Sequence, residues 1–193
     1  YISAAGITRY FNLNEENKKL VEENIKLRSL LFNSNSGDTV ELDTTKFNFT
    51  TISGRIIKNS YASPNNYITI NRGTNHGIKQ DMGVITAEGI LGIIEHTTKN
   101  YASVQSILNT KSNINAKIKN TNYFGSLIWD GRSYNQVKLE DIPRLVPLLI
   151  GDTIVTGAMS SIFPENIPIG TIKKFDLNES KSFYSIDVEL FND

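Results

Sequence analysis

Cysteine is absent from this chain of 193 residues, which excludes disulfides and cysteine-ligated metals. The lack is compatible with an oxidising compartment without requiring one. No run approaches the ~20 apolar residues that a membrane-spanning helix needs. Net charge is missing as well: 20 basic side chains meet 20 acidic ones, so no overall field draws the chain to nucleic acid. Histidine is scarce, with only two. His76 sits in the turn Thr74-Asn75-His76-Gly77, where a polar residue tolerant of unusual dihedrals is expected on structural grounds alone. His96 ends a strand-like run, and without a helical i,i+4 pair the two make no zinc motif. There is no phosphate loop and no dinucleotide fingerprint. Ser160-Ser161 after Gly157-Ala158-Met159 is the nearest approach to a nucleophile, and it lacks the G-x-S-x-G arrangement. The expectation is a non-enzyme without cofactor or metal. The first residue is Tyr1 rather than Met, so the chain is expected to be an excised piece whose anchoring segment has been left out.

What is present first is a heptad pattern over residues 12–34. In NLNEENKKLVEENIKLRSLLFN, Leu13, Leu20 and Leu27 recur every seven residues, as do Asn17, Asn24 and Leu31, with Tyr10 one heptad earlier. Read as d and a positions, these form the seam of a dimerising coiled coil. The two asparagines weaken the seam but fix register and strand number, because an a-position Asn pairs with its own copy in a parallel dimer. Glu23 at g and Arg28 at the following e are spaced to meet across that dimer. Glu15/Lys19 and Glu22/Lys26 are ordered for pairs of about 0.3–0.5 kcal/mol each on the outer face. A helix packed on its own domain would carry a wider apolar stripe. So short a coil is marginal alone, and a membrane anchor upstream would help hold the pair together. Asn12 followed by Glu15 resembles an N-cap pair, so residues 1–11 read as a loose lead-in. Residues 35–48, opening with Asn35-Ser36-Gly37-Asp38, read as a linker.

Beyond residue 48 the period changes to two. Ile114, Ala116 and Ile118 alternate with polar neighbours, as do Val137 and Leu139, and Ile186, Val188 and Leu190. Such runs bury one face and wet the other, as antiparallel strands do. About a dozen short strands follow, near 49–58, 67–71, 83–87, 90–96, 102–107, 113–119, 123–128, 136–140, 152–156, 169–176 and 183–191. An internal echo divides them. Gly83-Val84-Ile85-Thr86 leads to Ile90-Leu91-Gly92-Ile93-Ile94, and Asp152-Thr153-Ile154-Val155-Thr156 leads, after a longer insert, to Ile169-Gly170-Thr171-Ile172. The fold expected is mainly β: an N-terminal coiled-coil helix, then two small antiparallel β-barrels over 49–121 and 122–193. Their joint is placed near Asn120–Asn122, and strand exchange between them is possible. Trp129 reads as a barrel plug or rim residue.

Between the last echo strands runs a loop stiffened by two prolines, Ser160-Ser161-Ile162-Phe163-Pro164-Glu165-Asn166-Ile167-Pro168. Phe163, Pro164, Ile167 and Pro168 are the candidate partner or self-association surface. The competing reading has Phe163 and Ile167 closing the end of the second barrel.

The stretches GDTIVT, SSIFPENIPIG and YITINRGTNHGIKQDMGVI, with the coil EENKKLVEENIKLRSLL ahead of them, closely resemble the MreC family of rod-shape-determining proteins. The resemblance covers the chain from about Tyr10 onward. It implies an extracytoplasmic (periplasmic) protein held at the cytoplasmic membrane by an N-terminal helix, with a dimerising coil and two β-barrels. One barrel of the family is similar to half of a chymotrypsin-type fold without being a protease. It also implies a scaffold of cell elongation and peptidoglycan synthesis. Its partners would be the elongation transpeptidase (a class B penicillin-binding protein), MreD, RodA and, across the membrane, MreB, with filaments in some members. No catalytic motif comes with the family, and its partner contacts are not a short motif that transfers to these residues. A periplasmic adaptor of an efflux or secretion pump also joins a coil to β-barrels, but needs two antiparallel helices where one pattern is present. A trypsin-like hydrolase would need a serine motif that is missing.

Overall fold

The computed structural model describes residues 4–34, 49–60, 63–119, 121–177 and 182–192. The chain divides into two units, residues 1–53 and 54–193.

The first unit carries helix α1, Ala4–Ser34. It starts well before Asn12, so residues 4–11 are helical where a loose lead-in was expected. Ala4 and Ala5 favour helix and no proline interrupts 4–34. Asn12 is therefore an interior residue, not a cap. The expected linker 35–48 lies outside the described residues. The Glu–Lys pairs four apart on α1 form no ion pair among the described residues, consistent with how little two long exposed side chains gain by meeting.

The second unit holds eleven strands among the described residues: β1 Ile56–Asn59, β2 Asn65–Ile70, β3 Gly83–Ile85, β4 Ile90–Thr97, β5 Ala102–Asn109, β6 Asn113–Ile118, β7 Phe124–Ile128, β8 Gln136–Pro143, β9 Thr153–Thr156, β10 Pro168–Leu177 and β11 Phe183–Leu190. They make two bodies. One is a five-stranded sheet in the order β1-β2-β5-β4-β3, and the other a closed barrel in the order β10-β11-β8-β7-β6-β9. The chain is thus mainly β behind one helix, with one of the two expected barrels appearing as an open sheet. All pairings are antiparallel. Alternation of apolar and polar residues builds both bodies, as in β8, where Val137, Leu139 and Ile142 point inward. Ile68, Ile70, Ile78, Ile94 and Val104 form the sheet's core. Leu127, Leu139, Ile154, Ile172, Ile186 and Val188 fill the barrel.

The joint falls at residues 110–112 rather than near 120–122, because β6 pairs with β7 and β9 and so belongs to the barrel. The sequence echo has a structural counterpart. β3 pairs β4 and β9 pairs β10, and in each case the central glycine of the second strand meets the next strand's backbone. A Cβ on Gly92 would lie 2.0 Å from the Gln105 carbonyl oxygen, and one on Gly170 2.1 Å from that of Glu189. Only a residue without a side chain permits that approach.

Candidate protein-interaction surfaces

The seam of α1 is exposed. Leu13, Leu20, Leu27 and Leu31 are 64%, 58%, 55% and 54% accessible, and Asn17 and Asn24 lie open beside them. The Tyr10 side chain is outside the described residues. Asn24 donates its amide to the Leu20 carbonyl of its own helix at 2.9 Å, leaving its carbonyl oxygen for another donor. A different flank of α1 is covered by the returning chain. The Ser29 hydroxyl donates to Thr51 Oγ1 at 3.2 Å. Asn33 clasps Phe49 from both sides: its Oδ1 accepts the Phe49 N–H at 3.0 Å and its Nδ2 donates to the Phe49 carbonyl at 3.3 Å. Apolar surface therefore stays open where the heptads run.

The proline-stiffened loop is built differently from what its sequence suggests. Thr156, at the end of β9, organises it: its hydroxyl donates to the Pro164 carbonyl at 2.6 Å and accepts the Ile167 N–H at 2.9 Å. Asn166 turns the chain with a φ of 69°. The Met159 N–H donates to Asn115 Oδ1 at 3.3 Å, and the exposed Glu165 carboxylate pairs with the buried Lys117 ammonium. These ties carry Phe163 inward to 5% exposure, against β3 of the five-stranded sheet. A Cβ on Gly83 would lie 2.5 Å from the Phe163 ring and 2.7 Å from the Ile162 carbonyl oxygen. Ile167 is buried too, Pro164 is half-buried and Pro168 is exposed. As anchors offered to a partner, Phe163 and Ile167 are thus corrected: their own chain already covers them. Phe163 fastens the barrel's loop to the sheet.

The two histidines and Ser160 do not share a site. A cleft of about 230 Å³ beside Phe163 is bordered by Asn113, Asn115, Ser126 and Ser160, and by neither histidine. The Ser160 hydroxyl accepts the Ile162 N–H at 3.2 Å. His76 Nδ1 accepts the Gly73 N–H at 3.2 Å, closing a 3₁₀ turn over Thr74–His76. Trp129 is buried and donates its indole N–H to the Ser133 carbonyl at 2.6 Å, clasping the β7–β8 connection. Burial, and then the neighbouring Glu95 carboxylate, raise the Tyr67 phenol above its usual range. Donating a hydrogen bond to the Asp176 carboxylate raises the Lys174 ammonium likewise.

Sequence reasoning missed one surface. Between β8 and β9, Leu145, Leu149 and Ile150 are 87%, 72% and 72% exposed. The available signal was Leu145-Val146-Pro147-Leu148-Leu149-Ile150, a run with more apolar residues than one short connection can turn inward.

The described residues thus form a helix-led protein of two β bodies, with surplus apolar surface on the helix seam and at one barrel end. Residues 56–193 match the family model described as the rod shape-determining protein MreC, barrel core, and the chain belongs to that family of cell shape-determining proteins. The cell shape-determining protein MreC of Listeria monocytogenes is 24% identical over 174 residues. That alignment takes in 86% of this chain and 59% of the relative, so the chain spans about six-tenths of its length. A solved MreC structure from Listeria monocytogenes superposes with a TM-score of 0.70 at 23% identity, covering 97% of this chain and 86% of that one. A structure described as a complex between penicillin-binding protein PBP2 and MreC from Helicobacter pylori superposes with a TM-score of 0.52 at 14% identity. It covers 69% of this chain and 80% of that one.

Proposed function

We propose that this chain is a non-catalytic scaffold of the cell-elongation complex, which builds peptidoglycan and maintains rod shape. It dimerises through α1 and binds the elongation transpeptidase, a class B penicillin-binding protein. It lies on the extracytoplasmic face of the cytoplasmic membrane, where an N-terminal helix outside these residues anchors it, and works with MreD, RodA and, across the membrane, MreB. No helix among the described residues is long and apolar enough to cross a membrane. The observation that carries the reading is the open heptad seam of Leu13, Leu20, Leu27 and Leu31 in a chain of the MreC family. The Helicobacter pylori relative in complex with PBP2 supports the transpeptidase as partner. The pump-adaptor alternative needs a second long helix, and α1 is the only one among the described residues.

Sedimentation equilibrium tests the dimer. The wild-type chain is expected to form a dimer and Leu20→Asp with Leu27→Asp a monomer. A wild-type chain that stays monomeric at high micromolar concentration, and also when tethered to a membrane, would falsify this part. A pull-down from membranes tests the partner: the transpeptidase should come with the chain, and its absence counts against the scaffold reading.

A further inference from the structure

One end of the barrel carries apolar side chains that neither its core nor the heptad seam uses. Three connections meet there. Residues 144–151 join β8 to β9. The β10–β11 hairpin lies alongside, since Phe183 pairs with Pro143 and the Arg144 N–H donates to the Ser182 carbonyl at 3.1 Å. The β6–β7 turn is the third, and the Lys119 N–H ties it to the Thr153 carbonyl at 2.9 Å. Leu145, Leu149 and Ile150 stand out from the first connection, Leu177 and Phe183 from the second, and Tyr123 from the third. Only Val146 and Leu148 of residues 144–151 turn into the core among the large apolar residues. Closing the barrel therefore does not require Leu145, Leu149 or Ile150 to be apolar. Clustered exposed apolar residues of this kind mark contact sites.

The connection is also held in shape. The Val146 N–H donates to the Pro143 carbonyl at 3.0 Å, and the Gly151 N–H to the Ile172 carbonyl at 2.8 Å. The Asp152 carboxylate accepts the Leu149 N–H at 2.9 Å. A loop ordered in advance loses little freedom when it binds.

Charge selects among occupants. Lys119 and Arg144 are matched by Asp141 and Asp152 in the same connections and their flanking strands, and Lys174 is paired with Asp176 at 2.6 Å. So balanced a rim gives anionic lipid little electrostatic hold. It suits the apolar core of a protein interface, where charge is depleted. Resting on the transpeptidase reading above, we propose that this barrel end, centred on Leu145, Leu149 and Ile150, docks into an apolar groove of the elongation penicillin-binding protein.

The test uses the whole chain and the purified transpeptidase of the same organism in detergent. Leu145→Ser with Leu149→Ser should bind about tenfold more weakly or worse, with thermal unfolding unchanged. Because the chain has no cysteine, Leu149→Cys labelled with a benzophenone gives one reporter, which should crosslink to the transpeptidase. If the double variant melts early, that crosslink and the single change Ile150→Gln decide the matter. Equal affinity of variant and wild type, or no crosslink, overturns the site and leaves the partner reading standing. A wild-type chain that does not bind the transpeptidase overturns both. Retained transpeptidase affinity with lost self-association assigns the face to a second copy and overturns the proposal. So does retained affinity with lost co-sedimentation on vesicles of phosphatidylglycerol and phosphatidylethanolamine, which assigns it to lipid.

Discussion

In the barrel, Leu139, Ile154 and Ile186 are sealed from water by their own chain, while on α1 Leu13, Leu20 and Leu27 remain more than half exposed. Burying such a side chain is worth about 1.5–3 kcal/mol. The barrel has realised that gain within one copy, whereas the seam has not. The physical origin is geometry. A sheet that closes on itself gives every inward residue a neighbour, while a lone helix covers only the flank that its own returning chain can reach. For this chain that flank holds Ser29 and Asn33, tied to Thr51 and Phe49. Inward apolar residues are thus sealed within the barrel, while those along the seam stay open.

Three variants sharpen or break this contrast, measured by urea or thermal unfolding of the β bodies. Leu139→Ala removes a fully buried barrel side chain and is expected to cost about 4 kcal/mol; a cost under about 1 kcal/mol would mean that the barrel is not the closed core described. Phe163→Ala should cost about 3 kcal/mol, a little less because its site borders an open cleft. It should leave transpeptidase affinity per folded molecule unchanged, and a binding loss without a stability loss would return Phe163 to the surface. The seam variant Leu20→Asp with Leu27→Asp should shift unfolding of the β bodies by no more than about 0.5 kcal/mol while abolishing the dimer. A larger shift would show that the exposed leucines serve the fold after all.

Strands were the most legible feature of the sequence because alternation is a local signal. Val137 and Leu139, or Ile186 and Val188, announce an inward face whatever they pair with. Pairing partners are not local, which is why β6 was assigned to the wrong body: its alternation suits either sheet, and only the bonds to β7 and β9 decide. The heptads placed α1 over its seam, but a helix start without proline or a strong cap leaves little trace, so the turns before Asn12 were missed. Phe163 was ambiguous for a different reason. A proline-stiffened loop offers or hides an aromatic depending on what stands opposite, and Gly83 lies far away in sequence. The run Leu145–Ile150 was passed over for another reason: an aliphatic run between two strands carries no periodicity that tells which side chains face water, and only Val146 and Leu148 turn inward.

The position of β11 has a consequence for how the barrel comes to exist. It lies between β8 and β10 in the closed ring and is synthesised after both. Until it arrives, two strands have unpaired edges, and exposed edges of this kind recruit other chains. Ring closure also joins residues far apart in sequence, as when Glu189 meets Gln136, and such non-local pairing slows folding. The nascent protein therefore passes through an interval in which its sheet edges are open, and the final strand ends that interval in a single step. Chaperone demand, expression yield and sensitivity to early termination of synthesis should all be governed by residues 183–190.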